Sequence, residues 1–230
     1  GLERALAQQE HEAGLGRVAA TIAHEIKNPL SSVKALAQLM REDPGVKEKY
    51  DRDLGYTIGE TDRLNRFVLQ LLNSIRPLPE ERQDVNLTEL LETMAEMLER
   101  QYAGGRIRIE RQIAPGLGLR GSNPEIIKQV VLNLALNAVQ AADSEGSVRL
   151  EAGPHTEGKV VVSVSDSGLG IPAELREKIF EPFFTTKQRG TGLGLSIVRK
   201  NVRHLGGEIA IESPILEGRG TRMSVILPTA

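Results

Sequence analysis

The apolar period of this 230-residue chain changes once, at the proline- and charge-rich stretch Arg76 to Asp84, so the two sides of that stretch must fold differently. Upstream, Leu15, Val18, Ile22, Ile26, Pro29, Val33, Leu36 and Met40 recur at steps of three and four, one helical stripe close to a heptad seam. Asp43-Pro44-Gly45 interrupts it, and a second stripe follows through Leu54, Ile58, Thr61, Leu64, Val68, Leu71 and Ile75. Two helices joined by so short a turn are antiparallel neighbours. A lone hairpin would leave these seams partly wet, so two copies are predicted to pair as a homodimer into a four-helix bundle. Gly55 and Gly59 weaken the second helix by ~1 kcal/mol each relative to alanine and favour local bending there.

Downstream, helix and strand patterns alternate. Arg106 to Ile113 reads as a strand, and Val148 to Ala152 with Lys159 to Ser165, then Glu208 to Glu212 with Thr221 to Leu227, read as hairpins. Helices are predicted at Leu87 to Arg100, Pro124 to Ala142, Ala173 to Lys178 and Leu195 to Leu205. The expected fold is α+β: a helical hairpin over 1–76, a linker over 77–84, and a sheet with helices on one side over 85–230.

Composition narrows the function. Lys and Arg number 29 against 31 Asp and Glu with no long basic run, so no nucleic-acid surface is indicated. The absence of cysteine removes disulfides and thiolate metal sites and fits a reducing compartment. No run approaches the roughly 18 apolar residues of a membrane span, and no signal peptide is visible, so a cytoplasmic location is expected. The abrupt helical start at Leu2 to Leu6 suggests the soluble end of something longer, whose parent could be membrane-anchored.

His24 opens the run His24-Glu25-Ile26-Lys27-Asn28-Pro29. It lies two residues from both Ile22 and Ile26, about 200° around the helix from the seam, and so faces solvent. An exposed histidine on a charged helix is often merely solvated, but one beside a carboxylate is also equipped for attack. Glu25 can take the imidazole proton while the other nitrogen bonds an electrophile. Pro29 removes the amide that would serve the Glu25 carbonyl, so a kink is expected nearby. A zinc motif would need histidine at position 28, where Asn28 stands. His11, His155 and His204 lie in a polar stretch, a turn and a helix end, without such neighbours.

The helix from Pro124 is apolar except for Gln129, Asn133, Asn137 and Gln140. Such a stripe either bonds to nearby loops or lines a polar ligand site, and asparagine oxygens suit Mg²⁺. Asp166 ends an apolar strand and enters Ser167-Gly168-Leu169-Gly170. This is either a tight turn or a carboxylate that accepts the amine of adenine beside glycines that admit a base. Gly190-Thr191-Gly192-Leu193-Gly194 opens a helix whose free amides suit phosphate, although it is neither a P-loop nor a dinucleotide fingerprint. Between them, Phe180, Phe183 and Phe184 would anchor a short loop, Thr185 to Arg189, that closes over phosphates; Phe183 and Phe184 could equally be core.

With these motifs in this order, the chain resembles the kinase core of bacterial sensor histidine kinases over about Gly14 to Pro228. The run at His24 and Pro182-Phe183-Phe184-Thr185-Thr186-Lys187 resemble the nitrogen-regulation-like group in particular. The resemblance implies a dimerising phosphotransfer hairpin followed by a Bergerat-type ATP-binding sandwich. It implies that His24 is phosphorylated from Mg·ATP with Glu25 as base, and that the phosphoryl group passes to an aspartate of a response regulator receiver domain. Asn28 would place water when the protein acts as that regulator's phosphatase. Asn137 would bind Mg²⁺ with Asn133 nearby, Asp166 would read adenine beside Gly168 and Gly170, and Gly190, Thr191, Gly192, Leu193 and Gly194 would form the lid hinge and phosphate cradle. Many members carry a basic and then an aromatic residue shortly after the metal-binding asparagine. Gln140 and Ala141 stand here instead, so Lys187 and Arg189 are expected to meet the phosphate charge. The upstream sensor half is missing. An ATP-gated clamp or a serine kinase would leave the His24 run without a purpose, and intact Asn137, Asp166 and both glycine boxes argue against a non-catalytic scaffold.

Overall fold

The computed structural model describes residues 25–75, 78–79, 81–142, 145–156, 158–187, 190–215 and 218–230. The chain divides into two compact units at Pro77/Leu78. In the first, a helix over 25–42 (α1) is helical on both sides of Pro29 and stops at Asp43. Helix α2 (Pro44–Ile75) begins at once, because the Asp43 carboxylate accepts from the amides of Gly45 (2.9 Å) and Val46 (3.0 Å) and proline suits the first helical position. The interruption is thus a single residue, and Gly45 lies inside the second helix.

Lys34 pairs with Asp62 at 2.7 Å and Arg41 with Asp51 at 2.8 Å, an antiparallel register. Exposed pairs of this kind contribute only about 0–1 kcal/mol, so they select the register more than they hold it. Ala37, Leu54 and Thr61 are the buried contacts. Much of the apolar stripe is not covered: Val33, Leu36, Met40 and Leu64 are 44%, 61%, 50% and 48% exposed.

The second unit is a two-layer α/β sandwich. Its five-stranded sheet has β2 (Arg108–Ile113) at one edge, then β4 (Ser147–Pro154), β5 (Lys159–Asp166), β7 (Thr221–Pro228) and β6 (Glu208–Glu212). Only β2 and β4 are parallel, and both hairpins expected from alternation are present. Val148, Leu150, Val162, Val164, Val225 and Leu227 face a helical layer of α3 (Leu87–Tyr102), α4 (Pro124–Ala141) and α5 (Gly194–His204). The opposite face carries ion pairs, Arg149–Glu110 (2.8 Å) between the adjacent β4 and β2 and Arg222–Glu151 (2.9 Å) from β7 across β5 to β4.

Two expectations need correction. Gln83–Asn86 forms a strand, β1, that pairs antiparallel with β3 (Gly118–Ser122), so Gln83 and Asp84 are sheet and not linker. The segment Ala173 to Lys178 is not an α-helix but two 3-10 turns, Ala173–Leu175 and Lys178–Phe180. Phe180 alone is buried there, too few apolar contacts to hold a longer helix against the core. Among the described residues no helix is long and apolar enough to cross a membrane.

Candidate active site

His24 lies outside the described residues, as does Arg189. Glu25 and Asn28 are exposed on α1, and Ser32 Oγ donates to the Asn28 backbone carbonyl at 3.2 Å.

In the second unit the motif residues converge where the N-terminus of α5 meets the middle of α4. Asn86 and Asn123 cap α3 and α4, and Asn123 accepts from Glu125 and Ile126 at 3.0 Å each. No side chain caps α5. Its first amides and its positive dipole end are therefore available to an anion. Gly194 sits against the polar stripe: a Cβ there would lie 3.4 Å from Asn137 Nδ2 and 3.5 Å from Asn133 Oδ1. Asn133 Nδ2 is turned back onto the Gln129 carbonyl at 2.9 Å. Asn137 Nδ2 is buried with no partner among the described residues, a position where an acceptor from a ligand or a water would offset its lost hydration.

The stripe is not all ligand-lining. Gln129 Oε1 accepts from Asn201 Nδ2 at 2.8 Å, and Asn201 is fully buried, so this end of the stripe joins α4 to α5.

Asp166 is buried at the end of β5, and its Oδ1 accepts from Gly168 N–H at 2.8 Å. Burial pushes its carboxyl up from 3.8, opposed by the amide of Gly168, the charge of Lys187 and the amide of Thr221. Gly168 is required sterically, since a Cβ would collide with the Ala141 carbonyl. Gly170 has φ +84° and abuts Ser213 Oγ, which accepts from Ile171 N–H at 2.7 Å and donates to the Gly220 carbonyl at 3.0 Å. Ser213, Thr221 and Asn201 are supports that sequence patterning missed. Each is a polar residue at a buried position, visible only once the fold shows the burial.

Thr191 and Leu193 lie on the approach to α5, Leu193 buried and its amide donating to Thr191 Oγ1 at 3.4 Å. Gly192, at φ +68°, receives the Phe183 N–H on its carbonyl at 3.0 Å, and a Cβ there would strike the Phe183 backbone. Gly190 is packed as closely on Thr185. The aromatic knot divides: Phe180 is buried, while Phe183 is 61% exposed in the left-handed conformation and is not core. Lys187 turns inward, its Nζ donating to the Asn137 carbonyl and to Gln140 Oε1 at 3.2 Å each. Burial pulls its pKa down, and the Asp166 carboxylate opposes that.

Among the described residues no group of three or more His, Cys, Asp or Glu could hold a metal ion. A divalent cation here would depend on amide oxygens, and Asn137 beside Asn133 suits Mg²⁺, which keeps waters and phosphate oxygens as its other ligands. A cavity of about 840 Å³ beside Tyr102, Arg106 and Glu145 touches this constellation only at Ser167.

Residues 122–230 match the family of histidine kinase-, DNA gyrase B- and HSP90-like ATPases, and residues 15–78 match the His Kinase A (phospho-acceptor) domain. The sensor histidine kinase ZraS of Klebsiella oxytoca is 40% identical over 228 residues, 99% of this chain and 49% of that protein. The chain thus spans about half the length of such a curated relative. The catalytic domain of histidine kinase ThkA superposes with a TM-score of 0.59 at 37% identity, over 65% of this chain and 96% of that one. ThkA in complex with the response regulator protein TrrA gives 0.70 at 30% identity, over 100% and 66%. Full-length ShkA in complex with AMPPNP gives 0.74 at 26%, over 93% and 46%.

Proposed function

The chain belongs to the sensor histidine kinases, and on that premise we propose that it is a kinase core that phosphorylates His24 from ATP. One observation carries the nucleotide half of this reading. The partnerless Asn137 amide, the uncapped start of α5 and the inward Lys187 face one region, with Asp166 close enough to act on Lys187 through its charge. Asp166 accepts the adenine amine; the α5 amides and Lys187 meet the phosphates. Asn137, with Asn133 beside it, would hold Mg²⁺, which when bound neutralises phosphate charge.

The chemistry is an in-line displacement. A ring nitrogen of His24 bonds the γ-phosphorus, the bond to the β–γ bridging oxygen breaks, ADP leaves, and Glu25 accepts the proton from the other ring nitrogen. The resulting P–N bond is labile enough to pass the phosphoryl group to a carboxylate oxygen of a receiver-domain aspartate. That kinase–regulator pairs form is seen for ThkA with TrrA. On this proposal the chain acts as a homodimer through its helical unit, in a cytoplasmic location, and its motifs at His24 and Pro182 to Lys187 support a reading in the nitrogen-regulation-like group. Incubation with γ-labelled ATP and Mg²⁺ tests the proposal. Acid-labile, alkali-stable label is expected; acid-stable label, or phosphate release without labelling, would overturn it.

Asn28, exposed on α1 and four residues after His24 in the sequence, orients water in the reverse role of receiver phosphatase. Asn28→Ala should keep autokinase activity within about twofold while slowing regulator dephosphorylation at least about tenfold, the scale of one lost positioning contact. Equal loss of both activities would remove this division of labour.

A further inference from the structure

Lys187 belongs to the segment before Gly190, yet its ammonium is docked on a helix fifty residues earlier. Both acceptors are neutral and belong to the last turns of α4: the Asn137 carbonyl and Gln140 Oε1, each 3.2 Å from Nζ. That helix end carries the negative pole of its dipole and has no basic residue of its own in its last turn. A main-chain carbonyl has a second lone pair beyond its helical bond, and the glutamine is exposed and adds no charge that would cancel the ammonium. The cation is held by two neutral acceptors, with the Asp166 carboxylate acting on it through its charge, at the residue whose buried Nδ2 lacks a partner among the described residues.

We propose that Gln140 is a positioning residue that parks the Lys187 ammonium beside Asn137, so that the cation meeting the nucleotide's phosphates is supplied across the site and not by α4. This rests on the nucleotide-site reading above. Because a charge at position 140 would stand within hydrogen-bond reach of the same point, the two positions are interchangeable as its source. Gln140→Lys with Lys187 present sets two ammonium groups together and loses the acceptor.

The experiment is binding of ATP and of adenosine, each with Mg²⁺, by the parent, Lys187→Gln, Gln140→Leu, the pair Gln140→Leu/Lys187→Gln, and the swap Gln140→Lys/Lys187→Gln. Lys187→Gln should weaken ATP at least about tenfold, as loss of a charge-assisted contact does, while adenosine changes less than about twofold. Gln140→Leu should weaken ATP when Lys187 is present and have no further effect when it is absent. The swap should recover most of the ATP affinity. Unchanged ATP binding by Lys187→Gln, parallel loss of adenosine, an effect of Gln140→Leu that persists without Lys187, or a swap no better than Lys187→Gln would each overturn the proposal. A parent that binds neither ligand would instead overturn the nucleotide-site reading.

Discussion

Asp166 shows how much one residue can and cannot disclose. Its position at the end of an apolar strand marked it in the sequence, and the structure buries it with its carboxyl pushed up by desolvation. The sign of the consequence is fixed. A carboxyl whose folded pKa exceeds its unfolded value costs nothing below about 3.8, costs progressively more as pH rises through the folded value, and costs the full amount above it. The stability of the parent relative to Asp166→Asn should therefore fall as pH rises across that window and then level. ATP binding by the parent should rise over the same window as the carboxylate forms. Chemical denaturation of both proteins across pH checks this, and a difference that stays flat from acid to neutral pH would contradict it. For Gln129 and Phe183 the sequence leaves two readings open for one reason: it shows polarity or apolarity, and only the fold shows which neighbour satisfies it. Gln129 is satisfied by Asn201, and Phe183 is turned out by a left-handed backbone.

Among elements, long periodic segments were legible and short ones were not. α4 announced itself through Asn123, Pro124 and an apolar body, and β5 through Val160 to Val164. β1 escaped because its four residues carry only one apolar side chain, Val85, and β3 because Gly118 and Gly121 leave only Leu119 apolar in five. Ala173 to Lys178 reads as a helix in the sequence, but the segment folds as the 3-10 turns Ala173–Leu175 and Lys178–Phe180. The helical hairpin makes the firmest element-scale prediction. Leu36, Leu39 and Met40 are 61%, 60% and 50% exposed along one stretch of α1, and burying a leucine gains about 1.5–3 kcal/mol. If a second copy covers them, Leu36→Glu should weaken dimerisation at least about tenfold by analytical ultracentrifugation. A parent that sediments as a monomer at all concentrations, or a variant that dimerises equally, would refute the pairing.

At the scale of the whole molecule, labour is divided on the proposed reading between two units of different construction: one carries the His24 run, the other the proposed nucleotide site. The division was legible because a change of apolar period survives any detail of packing. The supports beneath the site, Ser213, Thr221 and Asn201, were not, since they act through contacts between segments far apart in the chain. On the proposed reading one phosphoryl group passes to His24, so its destination is the most direct measurement. The chain should be incubated with Mg·ATP, digested under alkaline conditions that preserve phosphohistidine, and mapped by mass spectrometry beside His24→Gln. Phosphorylation at His24 in the parent and none in the variant is the expected result. Phosphate on His11, His155 or His204, or undiminished modification of the variant, would contradict it.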